Sequence, residues 1–315
     1  MRIGLGLYPD EPAGKLIATA QLAEELGYTM LWMPDSQVLW REMYALLGAA
    51  AVSTRRIGLG SAVTNLITRH PSVAASGFRT LDELSGGRMR LGLGIGDSAV
   101  ATLDLKPQRV EHFSTALEQL RGLLAGGEDA SPRLAFGADR PIPIYIAASG
   151  PRMLALAGRL ADGVILMNGV APELIAAAIA LVRQGAQEAA RDPAKIKVVI
   201  WAACHTSVDA VKYNVARTIL RNLPGPLGPL TRETAEAVRT RYDYAQHGNA
   251  RANFAELIPD ELVSRFAFAG TPNEIAGQIA ALECIGVDEV ALAIPSAAPS
   301  ASRDAVLEVL APVLL

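Results

Sequence analysis

The sequence predicts an α/β fold, a closed (β/α)8 TIM barrel with insertions. Two observations lead there. Eight short apolar runs alternate with amphipathic helical stretches along the whole chain. Such alternation implies right-handed βαβ units and a parallel sheet. Doubly wound sheets also alternate, but usually stop or split at about five to seven strands. Eight repeats over 315 residues suit a barrel of about 250 residues plus additions. The second observation is composition. With 50% hydrophobic and 19% charged residues and a mean hydropathy of +0.25, a disordered chain is excluded and a large core is required.

Each element has a local reason. Arg2–Tyr8 (RIGLGLY) is the first strand, and Gly14–Leu26 the first helix, stopped at Gly27. Thr29–Met33 is the second strand and Arg41–Ser53 the helix after it. Ile57–Val63 is followed by a helix over Ser72–Leu84 that ends in the Ser85-Gly86-Gly87-Arg88 turn. Met89–Ile95 precedes a helix over Gln108–Leu124, and Ile142–Ala148 leads into a helix opening at Ser149-Gly150-Pro151. Gly163–Met167, Ile196–Ala203 and Val287–Ile294 are the remaining strands. Helices follow or precede them over Pro172–Ala190, Ser207–Leu223, Thr271–Ile285 and Ala301–Leu314, with Thr271 an N-cap before Pro272. Two stretches break the rhythm, Gly126–Pro141 and Pro224–Ala269. The expectation is therefore one barrel domain over residues 1–315, with an inserted helical and loop region at about 224–269, and both stretches contributing a lid.

The net charge is -3 and no basic tract occurs, so nucleic-acid binding is not expected. The two cysteines, Cys204 and Cys284, lie far apart and outside any Cys/His cluster, which argues against a zinc site or a disulfide. Acidic Asp10 and Glu11 come too early for a signal peptide. No apolar run is long enough to cross a membrane. The expected location is the cytoplasm, with no membrane partner.

A barrel places its chemistry at the C-terminal strand ends. Those ends read Leu7-Tyr8-Pro9, Pro34-Asp35-Ser36, Ser61-Ala62-Val63-Thr64-Asn65, Gly96-Asp97-Ser98, Ala148-Ser149-Gly150, Asn168-Gly169, Cys204-His205 and Pro295-Ser296. Small and polar residues there suit a flat ligand held by hydroxyls and amides close to backbone. Asp35 is either a ligand contact or a turn former. Gly94-Ile95-Gly96-Asp97-Ser98-Ala99 matches G-x-G-x-x-A, but it follows the fourth strand and no helix is expected before Gln108. Its glycines are better read as letting backbone approach a ring, with Asp97 and Ser98 pointing into the site. Gly92 and Gly94 could instead relieve packing inside the barrel. Ser149 and the free amides after Gly150 form a candidate phosphate cradle, or an ordinary turn. Arg69 and His70 could contact substrate or brace their loop. His205 could face the site, while His112 and His247 are expected on helices with structural roles. No metal-ligand spacing, Walker A motif or G-x-S-x-G elbow is present.

Trp32–Gln37 (WMPDSQ), Ser61–Pro71 (SAVTNLITRHP), Thr80–Val100 (TLDELSGGRMRLGLGIGDSAV) and Ala147–Leu166 (AASGPRMLALAGRLADGVIL), in this order, resemble the bacterial-luciferase-like superfamily. Within it the chain looks like the branch using the deazaflavin coenzyme F420, around the methylenetetrahydromethanopterin reductases. That resemblance spans nearly the whole chain. It implies a luciferase-like TIM barrel and an oxidoreductase moving hydride between deazaflavin C5 and a small organic substrate. The alternative it leaves open is an FMN-dependent monooxygenase using reduced flavin and oxygen.

On the family pattern Asp35 and Ser36 line the ring and substrate side, and Ser61, Ala62, Val63 and Thr64 lie behind the ring, with a non-prolyl cis peptide in the Ser61–Val63 segment. Gly96, Asp97 and Ser98 contact the ring or supply an acid, and Ala148, Ser149 and Gly150 match the phosphate site. Met167, Asn168 and Gly169 lie beside it. Asp97 is the first candidate for general acid or base, provided burial raises its pKa. Asp35 and Ser36 are the further candidates. A homodimer or higher homo-oligomer is also implied. Two departures bear on substrate. Ser36 stands where the sugar-phosphate dehydrogenases of the branch carry a His base, which speaks against glucose-6-phosphate oxidation. Tyr8, Pro9 and Asp10 stand where the reductase of methanogens carries a Glu, so its pterin substrate does not follow from the resemblance. Asp97 replaces a basic residue of the FMN enzymes, which favours the deazaflavin.

Overall fold

The computed structural model describes residues 1–125, 133–136, 140–243, 253–296 and 301–315. Its strands are β1 (Arg2–Gly6), β2 (Met30–Met33), β3 (Gly58–Ser61), β4 (Thr64–Asn65), β5 (Met89–Gly94), β6 (Ile144–Ala148), β7 (Gly163–Leu166), β8 (Lys197–His205), β9 (Phe268–Ala269) and β10 (Glu289–Ala293). Neighbours run β10-β1-β2-β3-β5-β6-β7-β8, and β8 pairs with β10, so the sheet closes on itself. Every pairing among them is parallel. All eight expected apolar runs are staves of this barrel. The two-residue β4 and β9 lie outside the ring, on β5 and β8 respectively.

The helices are α1 (Ala13–Leu26), α2 (Met43–Ser53), α3 (Pro71–Ser85), α4 (Ser98–Ala101), α5 (Val110–Ala125), α6 (Pro151–Leu160), α7 (Pro172–Glu188), α8 (Lys212–Ile219), α9 (Pro229–Arg239), α10 (Asp260–Phe266), α11 (Pro272–Ala280) and α12 (Arg303–Leu314). Gly27 and Gly86 stop α1 and α3 in the left-handed conformation. Thr271 and Glu274 cap α11 reciprocally, as a Thr three residues before Glu should. The helix expected over Thr271–Ile285 ends early, because the amide of Leu282 turns to Ile279 and the chain tightens toward left-handed Gly286. The one expected over Ser207–Leu223 is a 3-10 turn, Asp209–Val211, followed by the shorter α8. A further correction concerns α4. It opens directly behind Gly96 with Asp97 as its N-cap, where no helix was expected before Gln108.

Two apolar layers result. The outer one joins the strands to the surrounding helices, from Leu5 and Leu31 out to Leu47, Phe78, Leu117 and Leu154. The inner one fills the barrel axis with Met30, Trp32, Tyr145, Ile165, Val199 and Ala291. Aromatic rings fit there because glycine faces them. A Cβ on Gly163 would lie 2.2 Å from Tyr145, and one on Gly60 2.7 Å from Trp32. Below, at the N-terminal end, Glu289 is fully buried and takes Trp32 Nε1 at 2.5 Å and Arg90 at 3.1 Å, with Arg2 at 3.3 Å.

A third apolar cluster lies over the other end. It joins Tyr213, Val215 and Ile219 of α8 to Val238 of α9, Phe254, and Leu262, Val263 and Phe266 of α10. The described parts of the stretch at 224–269 thus pack on α8, and β9 extends β8. Residues 126–132, 137–139 and 244–252 of the two expected lid stretches, His247 among them, lie outside the described residues.

A candidate active site at the strand ends

Above the aromatic filling, at the C-terminal ends of the strands, lies a cavity of about 600 Å³. This is the end where barrel enzymes do their chemistry. Of the residues singled out in the sequence, Asp35, Ser36, Ala62, Val63, Thr64, Gly96, Asp97, Ser98 and Met167 line it.

The wall below β2 and β4 is a small polar network. Thr64 Oγ1 donates to Asp35 Oδ2 at 2.7 Å, and Arg69 Nε donates to the same oxygen at 3.2 Å. Arg69 is held in turn by Glu42 and lies 4.1 Å above the Tyr44 ring. So Arg69 braces Asp35 rather than meeting a ligand. His70 also braces, its Nδ1 capping α3 at the Ser72 amide. Ser36 and Ser98 share a hydroxyl–hydroxyl hydrogen bond of 2.7 Å that joins the β2 end to α4.

Asn65 lines the same cavity. Its Oδ1 accepts from the amides of Ile67 and Thr68 at 3.0 and 2.9 Å. Those two donors fix the amide orientation, so Nδ2 is a buried donor with no partner.

Between these groups runs a flat apolar face. The Ala62–Val63 peptide bond is cis. Gly94 lies against Val63, where a Cβ would come within 2.8 Å of Cγ2. Gly92 has a different job: a Cβ there would lie 2.0 Å from the Ser61 carbonyl oxygen. Ser61 is likewise structural, exchanging hydrogen bonds with the Gly92 backbone through its hydroxyl at 2.8 and 2.9 Å.

Asp97 does not meet the condition set for it. Its side chain is 44% exposed, and Oδ2 accepts from Arg221 Nη2 at 3.2 Å. The short α4 holds Asp97 at the rim instead of burying it. Asp35, by contrast, is 4% exposed.

Ala148, Ser149, Gly150, Asn168 and Gly169 form a second layer at the β6–β7 edge and are absent from the cavity lining. Asn168 Nδ2 donates to the Ser149 carbonyl at 2.9 Å, and Ser149 Oγ to the Met167 carbonyl at 3.4 Å. Gly169 makes a left-handed turn, φ 86°. Gly150 caps α6 with no side-chain bond to the free amides, and Asn222 lies 3.4 Å from where its Cβ would be. The Asn222 carbonyl and side chain thus border the free amides of α6, the end of a helix where an anion can sit.

His205 does not face the cavity. It is fully buried, its Nδ1 accepts the Ser207 amide at 2.9 Å, and burial pushes its pKa down.

Apart from Tyr8, read as the end of the first strand, the other half of the cavity was not singled out from sequence. Tyr8, Trp40, Trp201 and Tyr242 form an aromatic side, Tyr8 meeting Trp40 at 5.4 Å and Trp201 edge-on at 5.7 Å. Asn214, Arg217, Thr218 and Arg221 of the α8 region form a polar side. Their spacing of three, four and seven residues is one helical face, directly after the seventh apolar run. That was the available signal.

Comparisons with known proteins bear on this arrangement. The family model described as luciferase-like monooxygenase matches residues 1–289. The 5,10-methylenetetrahydromethanopterin reductase of Methanolobus tindarius is 31% identical, over 94% of both chains. An F420-dependent glucose-6-phosphate dehydrogenase of Beutenbergia cavernae is 38% identical over 50% of this chain and 54% of its own. Among solved structures, the coenzyme F420-dependent tetrahydromethanopterin reductase of Methanopyrus kandleri superposes with a TM-score of 0.78 at 26% identity. It covers 98% of this chain and 97% of its own.

Proposed function

Because the chain belongs to the luciferase-like monooxygenase family, we propose that it is an F420-dependent oxidoreductase acting on a small organic substrate. The relatives whose names specify F420 support the cofactor. The observation that carries the reading is the polar edge of the cavity. An acceptor carboxylate at Asp35 and an unpartnered donor at Asn65 Nδ2 border a flat face made by Ala62, Val63 and Gly94. That set suits a planar heterocycle whose edge carries both N–H and C=O groups.

When bound, the deazaflavin supplies a hydride donor or acceptor at C5. The protein does the rest. Asp35, with Thr64 and Arg69 both on Oδ2, would accept the ring N–H on Oδ1. Asn65 would donate to a ring carbonyl, and Ser36 and Ser98 would fix the same edge. Ser149, Gly150 and the α6 amides, with Met167, Asn168 and Gly169 behind them and Arg221 next to Asn222, would hold the phosphate. Trp40, Trp201 and Tyr8 exclude water from the substrate side. Asp97, exposed at the rim, would hold Arg221 in place rather than serve as the buried acid or base expected of it. Two free thiols, Cys204 and Cys284, support a reducing cytoplasmic setting.

Side-by-side titration with F420 and FMN, read by fluorescence quenching, tests the proposal. F420 is expected to bind at least about tenfold tighter, a difference of about 1.4 kcal/mol. The reverse order, with oxygen consumption by the reduced-flavin complex, would overturn it in favour of a monooxygenase.

A further inference from the structure

Arg217 is the cation that the cofactor reading leaves unused. It lines the cavity from α8, and its Nε is buried without a hydrogen-bond partner. Among the described residues no carboxylate lies within ion-pair distance of it. The two other arginines on this side are committed, Arg221 to Asp97 and Arg239 to Glu236. The groups that act on Arg217 electrostatically are Tyr8, Tyr242, Asp97 and Tyr213. An arginine guanidinium stays charged and presents a planar fork of donors. A half-buried guanidinium that lines a cavity without a carboxylate partner is a site for an anion.

A second group points the same way. Asn214, one turn earlier on α8, is 8% exposed and lines the cavity, and its Oδ1 is buried without a partner. Its Nδ2 contacts the Tyr8 hydroxyl at 3.3 Å. With the amide turned over, that hydroxyl donates to Oδ1, and the group left without a partner is an N–H2 donor. Arg217 and Asn214 line the cavity one helical turn apart.

Tyr8 ends the β1 run and Trp201 lies on β8, which pairs with β7, so this part of the cavity borders the phosphate region. We propose that Arg217 and Asn214 form an anion subsite for the substrate. Its class would be a carboxylate with an apolar body seated against Tyr8, Trp40 and Trp201. A single uncommitted cation matches a single negative charge, which favours a carboxylate over a doubly charged phosphate ester. The inference rests on the substrate side of the proposed oxidoreductase, but the subsite can be tested without turnover.

The anion could come from substrate or from the cofactor's own tail, and the experiment separates the two. Benzoate and its neutral counterpart benzamide are titrated into the protein and followed by intrinsic tryptophan fluorescence, since Trp40 and Trp201 line the cavity. Benzoate is expected to bind at least tenfold tighter than benzamide. Arg217→Met should reduce that preference to twofold or less while leaving F420 affinity within threefold, and Arg217→Lys should restore part of it. Equal binding of the two probes by the unmodified protein overturns the proposal. So does a preference that survives in Arg217→Met, or a tenfold loss of F420 affinity in that variant with the preference intact, which would assign Arg217 to the cofactor tail. A benzoate preference lost in Arg217→Met, in a protein that binds no F420 at all, would support the subsite and overturn the cofactor reading alone.

Discussion

Asp35 carries both its protein partners, Thr64 and Arg69, on one carboxylate oxygen. Its position is fixed from one side and available from the other, which is what a ligand anchor requires. Asp97 is built for a different task, half exposed and paired with Arg221. As a rim carboxylate holding Arg221, it should not be essential to proton transfer: Asp97→Asn should lower kcat by less than about tenfold, which is about 1.4 kcal/mol in the barrier. Single-turnover kinetics would measure it; a larger loss would return Asp97 to the proton path. Asp35, Ser36 and Asp97 were legible in the sequence because each follows an apolar run directly. Arg217 and Asn214 were not, because α8 reaches the rim only through its packing on α9 and α10. The burial of a side chain at a rim is likewise a tertiary property, so the different environments of the two aspartates could not be read from spacing.

The strands use glycine to make room for the rings of their neighbours. Gly163 faces Tyr145 at 2.2 Å and Gly60 faces Trp32 at 2.7 Å, measured from ideal Cβ positions. In sequence these glycines look like ordinary breaks in apolar runs, and only the strand register assigns each to an aromatic ring. Gly163→Ala should therefore destabilise by about 1–3 kcal/mol through overpacking. Gly14, inside α1 with nothing within 4 Å of its Cβ position, is the control. Gly14→Ala should stabilise by up to about 1 kcal/mol. Urea unfolding midpoints for the two variants should move in opposite directions; a shift of the same sign would refute the account. The strands themselves were legible because parallel strands buried on both faces read as continuous apolar runs. The short α4 was missed because four residues carry no helical period to detect.

At the scale of the molecule, closure depends on the β8–β10 pairing, and Glu289 opens the strand that makes it. Its carboxylate is fully buried and collects Trp32, Arg90 and Arg2 from three other strands. Removing one partner of a buried pair typically costs about 3–5 kcal/mol. Arg2 and Arg90 still reach solvent, with side chains 41% and 21% exposed, so Glu289→Ala should fall at the lower end of that range. Chemical denaturation would measure it, and a loss below about 1 kcal/mol would show that the cluster contributes no more than a surface pair.

The same filling has a consequence for traffic. Trp32, Tyr145 and the Glu289 cluster block the barrel axis beneath the cavity, so nothing passes through the barrel from below. Cofactor and substrate approach from the rim side, and the partner that sits deeper enters first and leaves last. A fixed order of arrival is thus set by the plug at the opposite end of the barrel.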